Sequence, residues 1–248
     1  MKSIQLPLFI AALSLSSFAQ ADFIGLKGDI SYWSIGGDSQ INHKTSSLSN
    51  KTGTDNLLLD PYTGLNAKHD LDTKGTIQAS VAFEHPIPII PNVKLKYTKL
   101  DTETESNNEF AKTKIDLDHT DLILYYEILD NIVKADVGVG ATKLNGTVKQ
   151  FSQNVDVDEY APILYAEAGA KLPFTGLSAK AEATYTNVND VKITDAQAEI
   201  QYDFVKSIVL DLGAKVGYRV LNIELSDLDN RDMKFNFKGP YIGLNAHF

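Results

Sequence analysis

Tyr241-Ile242-Gly243-Leu244-Asn245-Ala246-His247-Phe248 closes the chain. From Pro240 onward the even positions Ile242, Leu244 and Ala246 are apolar, and Phe248 is aromatic. The odd positions hold Tyr241, Gly243, Asn245 and His247. This is period two. It puts one face of a strand against an apolar medium and the other against a polar space. The last strand of a soluble sheet shows the same alternation, so the rest of the chain has to decide between them.

Working back from that segment, the same period recurs ten times. The candidate strands are 23–34, 75–84, 92–100, 118–128, 132–144, 160–172, 177–186, 194–204, 208–220 and 235–248. In 208–220, Leu210, Leu212, Ala214, Val216 and Tyr218 alternate with Asp211, Gly213, Lys215, Gly217 and Arg219. The register is ambiguous only near Lys238-Gly239. The lengths suit the roughly 9–11 residues of a tilted strand that crosses a bilayer. A soluble barrel would put the charges outside and the large apolar residues inside.

The connections alternate in kind. Short turns are expected at 85–91, 130–131, 173–176 and 205–207. Long polar loops are expected at 35–74, 101–117, 145–159 and 222–233, with a shorter one at 187–193. Short periplasmic turns and longer outer loops belong to transmembrane β-barrels. An even strand number puts both termini on the periplasmic side. Pro86, Pro88 and Pro91 cannot donate to a sheet ladder, so 85–91 reads as a rigid turn beside Ile87, Ile89 and Ile90.

The start of the chain fits an exported protein. Lys2, the apolar run 6–15 and Ala19-Gln20-Ala21 read as a signal peptide, residues 1–21, with the barrel at 22–248. Cleavage there moves the formal charge from −9 to −10, because Lys2 is the only charge removed. An acidic chain is a poor partner for nucleic acid. There is no cysteine, so strand hydrogen bonds and packing alone must hold the fold.

With these patterns in place, 235–248 resembles the last strand of bacterial outer-membrane β-barrels. The resemblance makes Phe248, with Tyr241, part of the signal read by the barrel-assembly machinery. Phe83-Glu84-His85-Pro86-Ile87-Pro88-Ile89-Ile90-Pro91-Asn92-Val93-Lys94-Leu95-Lys96-Tyr97 resembles the first periplasmic hairpin of a family of small Gram-negative outer-membrane β-barrels of unassigned function. His119-Thr120-Asp121 and Tyr125-Tyr126-Glu127-Ile128-Leu129-Asp130-Asn131 resemble its next hairpin. The likeness spans nearly the whole mature chain. It implies an all-β, antiparallel, up-and-down barrel in the outer membrane, and it carries no catalytic motif.

The inward face carries both signs of charge. Its candidate residues are Lys27, Asp29, Glu84, Lys94, Lys96, Glu127, Lys134, Asp136, Glu167, Lys171, Lys180, Glu182, Glu199, Asp211, Lys215 and Arg219. Barrels near eight strands are filled by side chains, whereas sixteen or more leave a channel. A paired, charge-plugged lumen with a structural or surface role is therefore the expectation. A narrow pore for ions or small solutes is the alternative.

An outer-rim hydrolase of the kind found in the omptins, ten-stranded outer-membrane proteases, is third. His119 and Asp121, with Asp116 and Asp118 nearby and His69-Asp70-Leu71-Asp72 in the first loop, would have to supply it. The three readings differ in what they require. A plug needs inward cations facing inward carboxylates, a pore needs a continuous charged lumen, and a hydrolase needs His119 and a carboxylate in an open cleft.

Asp101, Glu103, Glu105 and Glu109 gather acid in one loop without an Asp-x-Asp-x-Asp-Gly pattern, and the five histidines are scattered, so no metal or cofactor is expected. The expected partners are outer-membrane lipid, lipopolysaccharide and, during biogenesis, the assembly machinery. The chain is expected to be a monomer and not an enzyme.

Overall fold

A computed structural model of the chain describes residues 25–43, 68–106, 112–150, 153–207 and 210–248. The expected signal peptide lies outside the described residues, as does the middle of the expected first loop. Ten strands run in order: β1 Gly25–His43, β2 Lys68–Glu84, β3 Asn92–Glu103, β4 Thr113–Asp130, β5 Val133–Gln150, β6 Gln153–Lys171, β7 Leu177–Val188, β8 Val191–Lys206, β9 Asp211–Leu228 and β10 Arg231–His247. Each pairs antiparallel with its sequence neighbours. β1 pairs with β10, so the sheet closes into a barrel.

The closing seam extends to the last residue. Phe248 N–H donates to the Leu26 carbonyl at 2.9 Å, and Leu26 N–H donates to the Phe248 carbonyl at 3.1 Å. Closure pairs the first strand with the last, so neither terminal strand is left as an edge. The end holding this seam and the tight turns is called proximal below, and the opposite end distal.

Side-chain parity explains the wall. On β4, Leu122, Leu124, Tyr126 and Ile128 point outward and are exposed, while Asp121, Ile123 and Tyr125 are buried inside. The same outward apolar set recurs on every strand. Tyr32, Tyr97, Tyr160, Tyr185 and Tyr218 stand at its distal limit, and Phe83, Tyr126, Tyr202, Phe204 and Phe248 near its proximal limit. An apolar belt between two aromatic girdles is the outside of a membrane barrel.

The strands extend well beyond this belt, and here the sequence reading needs correction. The segments expected to be long distal loops are largely strand: β4 begins at Thr113, β5 runs to Gln150, β6 begins at Gln153, and β9 and β10 meet across Asp229-Asn230. Parity is unbroken, but polarity inverts. Lys114, Asp116 and Asp118 now point outward, and Ile115 and Leu117 point inward. Beyond the belt the barrel stands in water, so polar side chains take the outside and apolar ones fill the inside.

The result is a buried apolar cluster filling the distal half of the interior. Trp33, Ile35, Leu100, Ile115, Leu117, Leu144, Ile193, Leu221, Ile223, Met233, Phe235 and Phe237 belong to it. β1 reaches this level through an irregularity between Ile35 and Gly37. Gly37 has φ +133°, and a Cβ there would lie 1.8 Å from the Asn236 carbonyl oxygen, so the position needs glycine.

Candidate functional site

The proximal half of the interior holds the charges, in three connected groups. Nearest the mouth, Glu84 pairs with Lys27 and accepts a bond from the Tyr125 hydroxyl at 2.7 Å. Lys134 lies 3.0 Å from Asp136, 3.3 Å from Glu167 and 3.8 Å from Glu127. In the middle, Lys94 pairs with Glu182 and with Glu167 at 3.2 Å. Lys180 reaches Glu199 at 3.1 Å, and Lys215 bridges Asp29 at 2.8 Å and Glu199 at 3.3 Å. Glu199 also accepts a bond from the Tyr241 hydroxyl at 2.6 Å.

Gly217 makes room for the Tyr241 ring, since a Cβ there would stand 2.5 Å from it. Tyr241, read from sequence as part of an assembly signal, is thus a buried lumen residue as well.

Arg219 dominates the innermost group. Its Nε and Nη2 grip both oxygens of Asp195 at 2.8 and 2.9 Å, and its Nη1 donates to Gln78 at 2.6 Å and Thr98 at 2.8 Å. Its guanidinium lies 4.8 Å from the Trp33 ring, where the charge network meets the apolar cluster. A planar fork with several donors suits such a buried site better than a lysine would. Lys96 lies 2.6 Å from Glu182 and 3.2 Å from Asp195.

Most of the lysines and carboxylates named from alternation share this network. Lys171 and Asp211 do not. They line the proximal mouth, around a cavity of about 220 Å³ bordered by Lys27, Asp29, Lys180, Lys215 and His247. That is room for several waters at roughly 30 Å³ each. The sequence reading overlooked Asp195 and Asp121 as members of the network, together with the neutral Gln78 and Thr98. Parity alone finds the two aspartates: Asp195 shares the face of Glu199, and Asp121 that of Glu127.

His119 and Asp121, placed at an outer rim by the hydrolase reading, sit inside the barrel. Both are buried, at 2% and 1% exposure, and His119 Nε2 lies 3.1 Å from Asp121 Oδ1 and 3.0 Å from Thr142 Oγ1. They converge with Asp195 across the lumen, with one donor atom of each within 4.8 Å of the others. The neighbouring acids at the distal end face lysines on the outer wall. Lys99 bonds Asp116 and lies 3.3 Å from Asp118, and Lys112 lies 3.2 Å from Glu103.

The family model of the outer membrane protein beta-barrel domain matches residues 6–204. No curated protein matches the chain. Among solved structures, the outer membrane protease OmpT from Escherichia coli is 8% identical, with 90% of this chain and 96% of that one covered and a TM-score of 0.38. A FadL homologue from Pseudomonas aeruginosa is 12% identical, covers 92% and 90%, and scores 0.39. The translocator domain of the autotransporter NalP from Neisseria meningitidis is 8% identical, covers 98% and 94%, and scores 0.40. Likenesses this distant carry no argument about activity. The family match agrees with the apolar belt and the closed seam: the chain belongs to the outer membrane protein β-barrel domain family.

Proposed function

We propose that this protein is a structural or surface barrel of the outer membrane whose lumen is closed to solutes. The carrying observation is the apolar cluster that occupies the distal half of the interior. Leu117, Leu221, Phe237 and their neighbours are buried against one another there. Ions crossing from the proximal mouth would pass the Lys94–Glu182 and Arg219–Asp195 pairs and then an apolar plug. The apolar plug strips water from the ion without replacing it.

The proximal end faces the periplasm in this reading, and residues 1–21 are a cleaved signal peptide. The outward belt contacts lipid, and the distal lysines Lys99, Lys143 and Lys192 face the phosphates of lipopolysaccharide. The assembly machinery meets Phe248 before the seam closes. Closure of the sheet supports a monomer. Burial of His119 and Asp121 supports a non-enzymatic role, because a buried pair is not open to a substrate at the rim.

Single-channel recording of the refolded mature protein in a planar bilayer tests the proposal. Silence is expected once insertion is verified independently. Reproducible conductance steps that change on neutralising Lys94, Lys96 or Arg219 would overturn it and make those residues the lining of a narrow pore.

A further inference from the structure

We propose that His119, Asp121 and Asp195 form a site for a divalent transition-metal ion inside the barrel, with zinc the best match. One donor atom from each residue lies within 4.8 Å of the other two, and all three side chains are buried. β4 supplies two ligands and β8 the third from across the lumen. A second observation points to a missing cation. Asp121 is 1% exposed, and its closest charged neighbour is His119 Nε2 at 3.1 Å from Oδ1; neither of its oxygens accepts a well-aligned hydrogen bond. A buried carboxylate left in that state is costly.

Asp121, Asp195 and Glu182 face Lys94, Lys96 and Arg219 at this level, and Lys94 is shared with Glu167. The lysines are already committed. Lys96 lies 2.6 Å from Glu182 but 3.9 Å from Asp121. Arg219 holds Asp195 in place, as an outer partner holds a metal-binding carboxylate.

The donor set is one imidazole nitrogen and two carboxylates. Zinc takes such ligands at about 2.0–2.2 Å, which sets donors roughly 3.3 Å apart in a tetrahedron. His119 Nε2 and Asp121 Oδ1 stand near that spacing at 3.1 Å. Thr142 Oγ1, 3.0 Å from His119 Nε2, marks the position of a fourth oxygen or a bound water. Calcium and magnesium need more oxygens than this site offers.

The test refolds the mature barrel in detergent with excess Zn²⁺, desalts it and measures metal per folded protein by mass spectrometry. About one zinc per wild-type barrel is expected, with at least a tenfold loss in His119→Gln and in Asp121→Asn. Heat-modifiable gel mobility establishes that each variant is folded. If both variants fail to fold, His119→Cys loaded with Co²⁺ replaces them, and a thiolate-to-cobalt charge-transfer band is expected. Folded wild type that retains no zinc would overturn the proposal and leave His119 itself as the partner of Asp121. Equal retention by the variants would also overturn it and place the metal on the acidic distal wall. A cobalt-loaded cysteine variant without the band does the same.

Discussion

Arg219→Ala is the sharpest perturbation of the lumen charge network. The side chain is 1% exposed, makes two bonds to Asp195 and two more to Gln78 and Thr98, and stacks on Trp33. Truncation leaves Asp195 buried with Lys96, at 3.2 Å, as its nearest cation. Removing one partner of a buried ion pair costs about 3–5 kcal/mol. That raises the unfolding constant roughly a hundredfold to a few thousandfold, at 1.4 kcal/mol per decade. The paired change Arg219→Met with Asp195→Leu removes both charges together, so it costs less than either residue's orphaning would suggest. The coupling energy in the cycle is therefore expected to be at least about 2 kcal/mol.

The assay is urea unfolding of the refolded barrel in detergent and EDTA, followed by tryptophan fluorescence. Trp33 is the single tryptophan in the sequence and lies against this guanidinium, so the probe sits at the perturbed site. A loss under about 1 kcal/mol for Arg219→Ala would refute the reasoning. So would a double variant whose cost equals the sum of the two single ones.

Four further outcomes follow from the same geometry. Leu117→Ala, in the distal cluster, should cost about 3–5 kcal/mol in the same urea assay. Leu122→Ala, on the outward face of the same strand, should cost less because detergent chains fill the gap; equal costs would count against the inverted polarity. Gly217→Val should displace Tyr241 from Glu199 and cost about 1–3 kcal/mol, seen as a changed near-ultraviolet tyrosine signal. Deleting Phe248 removes both seam hydrogen bonds with Leu26 and should lower the heat-modifiable fraction in outer membranes while export continues; normal assembly would contradict the seam argument.

The fourth concerns acid. Hydrogen bonds from Lys192 and then Lys234 hold the Glu224 carboxyl below the usual carboxylate range. Its folded pKa lies below its unfolded one of about 4.3, so its contribution is present above that pH and is lost as pH falls through the folded value. Glu224→Gln should therefore flatten the acid limb of stability, and an unchanged limb would remove Glu224 from the account.

Strand number, inward parity and most of the lumen charges were legible in the sequence because lipid imposes a strong one-sided pattern. Leu122, Leu124 and Tyr126 have no reason to face outward in water. The distal strands were hidden for the converse reason. Segments such as Lys114-Ile115-Asp116-Leu117-Asp118 have apolar residues only on the inward parity, and their frequent charges read as a solvated loop. Continuing the parity of Asp121 back to Leu117 and Ile115 would have exposed the second half of the strand. The partnerships stayed illegible because they join distant strands: Arg219 meets Gln78 and Thr98 across the lumen, and Lys94 reaches Glu167 and Glu182. Alternation assigns a face to a residue but not the partner it will find there.

The two halves of the interior solve opposite problems with one wall. Within the lipid belt most apolar residues face outward, so the inside is filled largely by polar groups that satisfy one another, beside a small cluster of Ile123, Tyr125, Ile163 and Tyr165. Lys94, Glu182 and Arg219 do this mainly by ion pairing, with neutral partners Tyr165, Gln78 and Thr98, and such pairing gives little net stability because both partners lose water. Beyond the belt the wall returns its apolar residues to the inside, where Trp33, Phe235 and Phe237 pack as in a soluble barrel. Burial there yields roughly 25 cal/mol per Å². The distal half is therefore the source of much of the barrel's packing energy, and it is the half that closes the lumen in the function proposed above. A sequence that opened a pore here would have to give up that core, so the proposed occlusion and the packing rest on the same residues.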